Sequence, residues 1–248
     1  MKRLLIAGAL AFAAIGQALA ADLPQPAPLP PRAPAMYIPT IAPVYNWGGI
    51  YYGINGGYGF GSSEWTDPAN ASGLGSTGDF NISGFVVGPT IGANFQTDAF
   101  VFGVEGDIDY SSINGSTSSA FCNATGFAAC ETKNTWLSTI RGRVGYAVDR
   151  VLFYGTGGGA FGNIEAGANG AANSTFASST KAGWTAGAGV EVAFADNWTA
   201  RVEYLFVDLQ NSTCNTAGCG FDPGGVVANQ IVKFDANLVR LGFDCKFR

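Results

Sequence analysis

Glu105, Asp107 and Asp109 stand two residues apart, so in an extended chain their carboxylates project from one face. Arg141 and Arg143 repeat that spacing with the opposite sign. Arg201 with Glu203, and Arg240 with Asp244 and Lys246, mix both signs on one face, and Glu191 lies on a similar segment. Two carboxylates held close can divide the work of a general acid and a general base. The arginines at matching spacing favour a simpler reading, in which acids and bases of neighbouring strands pair. The chain contains no histidine, which excludes a Ser-His-Asp triad and any histidine base. The run Gly155-Thr156-Gly157-Gly158-Gly159-Ala160 imitates a dinucleotide fingerprint, but no helical pattern follows it, so no phosphate site is expected. Catalytic residues, metal ligands and cofactors are therefore all expected to be absent.

The cysteines offer the remaining chemistry. Cys122 with Cys130, and Cys214 with Cys219, are close enough in sequence to staple loops, with free thiols as the alternative; Cys245 is left over. Neither pair has the spacing of a zinc site.

The elements that must position these side chains alternate with a period of two. From Phe100 to Tyr110, Phe100, Phe102, Val104, Ile108 and Tyr110 oppose Glu105, Asp107 and Asp109. Trp136–Tyr146, Trp198–Phe206 and Val239–Phe247 alternate in the same way, as do Gly49–Phe60, Ser83–Gln96 and Ala182–Ala195. Val151–Asn163 is glycine-rich and its facing stays ambiguous. These are eight candidate strands, each close to the 9–11 residues that a tilted strand needs to cross a bilayer. Each named charge falls on the face opposite the aromatic residues of its strand. An arginine facing lipid at the midplane would cost about 2–4 kcal/mol.

Composition agrees. Charged residues make up 12% of the chain, about half the usual share for a soluble domain. A net charge of −5 argues against a nucleic-acid partner. Residues 1–20 read as a signal peptide: Lys2 and Arg3, an apolar run from Leu4 to Ile15, and Ala18-Leu19-Ala20 before a cleavage point between Ala20 and Ala21. The alternative is an uncleaved anchor, for which the apolar run is short. No other stretch is long and apolar enough for a helical span, so a membrane-embedded chain must be a closed barrel. Residues 21–46 read as a proline-rich periplasmic linker. Pro24, Pro26, Pro28, Pro30, Pro31, Pro34, Pro39 and Pro43 favour extended polyproline II, with a recognition role as the alternative.

The connections between strands alternate. Gly61–Ile82, Ser111–Lys133, Ile164–Lys181 and Gln210–Phe234 read as long loops; Thr97–Ala99, Ala147–Arg150 and Asp196–Asn197 read as short turns. Outer-membrane barrels place short turns in the periplasm and long loops outside. An even strand count then puts both termini in the periplasm. Trp47, Tyr51, Tyr52, Trp65, Trp136, Tyr146, Trp184 and Trp198 are expected to form the interfacial girdle. In a barrel this narrow the charges are expected to plug the lumen as an ion-pair network, the alternative being a charge-lined conduction path. Lumen-facing glycines count against the plug, since they leave room for water.

The runs WGGIYYGINGGYGFG (47–61), FVFGVEGDIDYS (100–111), TWLSTIRGRVGYAVDRVLFYGTGGGAFG (135–162), GWTAGAGVEVAFADNWTARVEYLFVDL (183–209) and VRLGFDCKFR (239–248) resemble the OmpA-like β-barrel proteins of alphaproteobacteria, often called outer-membrane immunogenic proteins or opacity-family porins. GVEGD, RGRxGYA and the EYxxxD ending carry the likeness in combination. It spans the chain after the linker and implies an all-β fold: an eight-stranded antiparallel transmembrane β-barrel over residues 47–248, preceded by the signal peptide and linker. It also implies a cell outer membrane location, no enzymatic activity, and roles in envelope integrity and surface interaction through long external loops. The partners implied are outer-membrane lipid, the barrel-assembly machinery, and host or environmental surface ligands; the alternatives are a small-solute porin and a barrel binding a ligand such as haemin. Phe247 is the residue expected to serve as the assembly signal, although the family pattern ends on the aromatic and here Arg248 follows.

Overall fold

A strand whose two faces differ in polarity has to bury one of them. A set of such strands satisfies every inner face and every edge only by closing on itself. The computed structural model describes residues 45–68, 73–123, 128–169, 174–214 and 230–247. They form β1 (Gly49–Thr66), β2 (Phe80–Thr97), β3 (Phe100–Thr117), the short helix α1 (Ala120–Asn123), β4 (Ala129–Val148), β5 (Val151–Asn169), β6 (Ser174–Ala193), β7 (Trp198–Cys214) and β8 (Gln230–Lys246). Each strand is antiparallel to its neighbours, and β8 pairs with β1, closing an eight-stranded barrel. The expected signal peptide, with Ala20 and Ala21, and residues 21–44 of the linker lie outside the described residues.

The outside of the barrel carries an apolar band. Phe85 and Phe95 on β2 are each 69% exposed, and Ile54, Val104, Ile140 and Leu241 are exposed around the circumference. So continuous an exposed apolar surface has no place in water and suits lipid. Towards the long connections the band gives way to Asn81 and Ser83 on β2 and to Lys233 on β8. At the other end the strands are joined by tight turns, Asp98–Ala99 and Asp149–Arg150. Asp98 and Asp149 adopt positive φ, 53° and 51°, which aspartate tolerates better than most residues.

The strands run much further than the sequence pattern indicates. They are 17 to 20 residues long, and most of the residues read as long loops continue the ladders. Gly61–Thr66 belongs to β1, Ser111–Thr117 to β3 and Ile164–Asn169 to β5. Apolar alternation stops on the outer face where the lipid band stops, but the backbone can keep pairing as long as the inner face still has something to bury. Trp65, Ile82, Ile113, Val232 and Phe234 supply it.

Two further expectations are corrected. Tyr52, Tyr146, Trp184 and Trp198 are about half exposed on the outer surface, but Trp47, Tyr51 and Trp65 are buried inside and belong to no girdle. Adjacent strand residues face opposite ways, so Tyr51 and Tyr52 cannot share a surface. The inward glycines do not leave room for water. A Cβ on Gly92 would run into the Tyr51 ring, and one on Gly242 into the Arg201 side chain. These positions lack side chains because a large one from the paired residue of the neighbouring strand occupies the space. The facing of β5 is also settled: Leu152, Tyr154, Ala160 and Ile164 point inward, Phe153 and Phe161 outward.

If the lumen is that tightly filled, Gly92→Ala lowers unfolding stability in detergent micelles by about 1–3 kcal/mol, the usual cost of overpacking. Gly155→Ala, on the outer face with open space for its Cβ, raises it by about 0.5–1 kcal/mol. Urea titration followed by tryptophan fluorescence checks both.

Candidate functional site

The interior has three storeys. Nearest the short turns, Tyr45, Trp47, Val101, Ala147, Leu152, Tyr154 and Ala193 form a small apolar cluster. Trp47 is anchored there by its backbone N–H on Gln96 Oε1, at 2.6 Å, and by its indole N–H on the Asp149 carbonyl, at 3.2 Å. The residues immediately before β1 thus fold across the mouth. Lys246 Nζ donates to the Asn46 carbonyl and lies 4.4 Å from the centre of the Tyr45 ring.

The middle storey is ionised. Arg141 binds Glu105 through Nη2, reaches Asp107 from the same nitrogen at 2.9 Å, and meets Glu203 through Nη1 at 2.9 Å. Arg240 donates to Asp109 at 2.9 Å, to Glu203 at 2.6 Å and to Asp107 at 3.2 Å. Arg201 donates to Glu105 at 2.5 Å and to the Thr90 hydroxyl at 3.1 Å. Arg143 donates to Glu191 at 2.6 Å and to the Tyr51 hydroxyl at 3.0 Å; that hydroxyl in turn donates to Glu105 at 2.6 Å. Tyr154 adds a bond to Glu203 at 3.1 Å, Asn55 one to Asp109 at 3.1 Å, and Thr199 one to Glu191 at 2.6 Å. Asp244 stands at the edge of the cluster. Its nearest cation is Arg201 at 3.4 Å, and among the described residues neither of its oxygens accepts a hydrogen bond.

Alternation and register build this storey. Glu105 faces Arg141 across the β3–β4 ladder, and Glu203 faces Arg240 across β7–β8. Other contacts cross the lumen between strands that are not neighbours: β7 to β3 through Arg201 and Glu105, and β8 to β3 through Arg240 and Asp109. Every strand contributes at least one side chain. Of the residues singled out in the sequence, Glu105, Asp107, Asp109, Arg141, Arg143, Glu191, Arg201, Glu203 and Arg240 meet in one cluster, with Asp244 beside it. Lys246 lies at the mouth below. Tyr51, Tyr154, Asn55, Thr90 and Thr199 were missed as members of this site; their inward register was the available signal. All the cluster's arginines and carboxylates are almost wholly buried. Chemically, the arrangement holds charges in fixed mutual contact.

The third storey, towards the long connections, is apolar. Trp65, Ile82, Ile113, Leu137, Leu205, Val232, Phe234 and Leu238 are buried together inside the barrel. Phe121 of α1 packs into this cluster from the β3–β4 connection, and the disulfide between Cys122 and Cys130 ties α1 to the start of β4. Cys214 closes β7, and Cys219 lies outside the described residues. Cys245, on the outer face near the short-turn end, is a free thiol, and Phe247 beside it packs its ring 4.8 Å from Tyr52.

Comparison with known proteins places this geometry. The outer membrane protein beta-barrel domain family matches residues 8–247. The chain is 42% identical to the 31 kDa outer-membrane immunogenic protein of Brucella melitensis over 69% of its length and 75% of that protein's. It is 33% identical to the 25 kDa outer-membrane immunogenic protein of Brucella abortus over 100% of its length and 99% of that protein's. Among solved structures it is similar to the outer membrane protein OprG from Pseudomonas aeruginosa, with a TM-score of 0.49 and 12% identity over 84% of this chain and 99% of that one.

Because Arg141 meets three carboxylates in a site closed to water, Arg141→Leu leaves buried negative charge uncompensated. The expected loss is about 3–5 kcal/mol of unfolding stability in detergent. Lys233→Ala, at an exposed position, is expected to cost less than about 0.5 kcal/mol. Equal midpoints for the two variants in urea would refute a structural role for the network.

Proposed function

The chain belongs to the outer membrane β-barrel protein family, and from that premise we propose that it is a closed, non-conducting barrel that contributes to envelope integrity and acts on its surroundings through its external end. The observation that carries this reading is the filled lumen: an apolar cluster, an ionised storey and a second apolar cluster succeed one another along its axis. The interior of an eight-stranded barrel is narrow enough for its own side chains to fill. Solute would have to part contacts that join strands on opposite walls, such as Arg240 to Asp109 and Arg201 to Glu105.

The long connections are the external ones in this reading, and both termini lie in the periplasm, following the general pattern of short periplasmic turns. The names of the relatives, outer-membrane immunogenic proteins, suit a barrel that presents its connections outside. The ligands of that end are host or environmental surfaces. Phe247, exposed after β8, is the residue offered to the assembly machinery. No catalytic role is proposed, since the only concentration of titratable groups described is locked in ion pairs.

Reconstituted into planar lipid bilayers, the purified chain is expected to show no stable conductance steps of nanosiemens order. Steady steps of that size, scaling with salt, would reject the closed barrel in favour of a small-solute porin.

A further inference from the structure

Asp244 is the one carboxylate of the ionised storey that its neighbours do not answer. Each of the other five, Glu105, Asp107, Asp109, Glu191 and Glu203, accepts a hydrogen bond from an arginine. Neither oxygen of Asp244 accepts one among the described residues, although its side chain is only 1% exposed. Its nearest cation is Arg201 Nη1, at 3.4 Å, and that nitrogen already donates to Glu105 at 2.5 Å. The other terminal nitrogen of Arg201 donates to Thr90.

The surroundings offer no substitute. Asp244 is paired with Gly53 on β1 and with Thr199 on β7. A Cβ on Gly53 would overlap Asp244 Oδ1, so the β1 backbone lies hard against that oxygen. The Thr199 hydroxyl is turned to Glu191, to which it donates at 2.6 Å. The charged groups facing Asp244 are Arg201 from β7, Glu191 from β6, Glu105 from β3 and Arg143 from β4. Two of these are acids, and both arginines sit closer to those acids than Arg201 sits to Asp244. From β1, the Tyr51 hydroxyl donates to Glu105. Lys246, two residues along β8, turns to the Asn46 carbonyl and the Tyr45 ring at the mouth.

Charge leads to the same place. The storey buries six carboxylates and four arginines. With Lys246 at the mouth included, one negative charge is still left over. An ionised carboxylate without hydrogen bonds, in a site closed to water, is so unfavourable that it takes up a positive charge instead. A metal ion is one source of that charge, but among the described residues no three acidic or cysteine side chains stand together as its ligands. A proton needs no further ligand.

We propose that Asp244 is held in the folded barrel as a neutral carboxylic acid, its proton supplying the positive charge that the storey lacks. Five carboxylates then face five bases. In the unfolded chain water solvates the carboxylate and the proton is released. Folding is thereby linked to proton uptake, and the barrel loses stability as pH rises above the usual carboxylate range.

Infrared spectroscopy of the full chain, folded in detergent at neutral pH, tests it. The expected spectrum contains the carbonyl stretch of a protonated carboxyl group, which Asp244→Asn removes and Asp109→Asn retains. Urea titration gives a second measurement. The chain has no histidine, so ordinary side chains titrate little between about pH 5 and 7.5. Over that range the unfolding constant is expected to rise with pH by up to about tenfold per unit, the linkage of one proton. Asp244→Asn flattens that slope. Should Asp244→Asn fail to fold, the band in Asp109→Asn and the slope in the unmodified chain decide. Absence of the band overturns the proposal, as does a band that Asp109→Asn removes and Asp244→Asn keeps. Stability of the unmodified chain that does not change with pH over this range also overturns it. Stability that rises with calcium at constant ionic strength, without the band, assigns the missing charge to a bound metal instead.

Discussion

Charge inside a closed eight-stranded barrel has only itself to pair with. Taking an ion out of water costs several kcal/mol, and the cost is recovered only where partners and geometry are good. The middle storey meets that requirement by drawing on every wall of the barrel. Glu105 alone accepts hydrogen bonds from Arg141, Arg201 and Tyr51, which lie on β4, β7 and β1. Buried ion pairs are weak evidence for stability as such, because well-packed apolar residues do as well. Their stronger consequence here is specification. A one-residue slip of β4 would turn Arg141 and Arg143 onto the lipid face, at about 2–4 kcal/mol each, and would strand their acids inside. The register of the whole barrel is therefore tied to this one layer.

The remaining interior follows from volume. Guanidinium and phenol groups packed inside a narrow lumen need empty space at the residue paired with them on the neighbouring strand. Gly92 beneath the Tyr51 ring and Gly242 beneath the Arg201 side chain provide it. Above the ionised layer the same strand faces change character without changing direction. On β8 the inward series runs from Asp244 and Arg240 to Leu238, Ala236, Phe234 and Val232. On β7 it runs from Arg201 and Glu203 to Leu205, Val207 and Leu209. The apolar storey carries no buried charge, and it packs as an ordinary core with Phe121 against it and the Trp65 indole donating to Thr132.

Alternation made the eight strands and the inward set of charges legible in the sequence. Phe100 to Tyr110 shows why: a lipid face and an ionised face differ at nearly every step. Three things were not legible, each for a physical reason. The strand extensions such as Ser111–Thr117 and Ser174–Lys181 leave the lipid, so their outer faces turn polar and the contrast that marks a strand disappears. The purpose of a glycine depends on what stands opposite: Gly92 yields to a ring, Gly155 to nothing in the protein, and the two look alike in the chain. Aromatic residues were read as a girdle by type, although parity alone places Tyr51 inside and Tyr52 outside. The same parity, applied to Tyr154, Thr90 and Thr199, would have extended the ionised cluster beyond its formal charges.

The strand extensions bear on where this barrel can act. A crossing needs about 9–11 residues per strand, yet β4 and β6 each have 20. The surplus lies at the end with the long connections, where paired backbone replaces what polar composition suggested was loop. A paired stem with an apolar interior is stiff in a way that loop is not. Its outer faces, with Ser83, Asn114 and Lys233, are polar and suit water. The disulfide between Cys122 and Cys130 and the burial of Phe121 tie even the β3–β4 connection to the top of this stem. The interior thus does two jobs at different heights: the ionised storey ties the strands together in register within the apolar band, and the apolar storey fills a paired stem beyond it. In the function proposed above, contact with the surroundings is made beyond the end of this stem and not through the lumen.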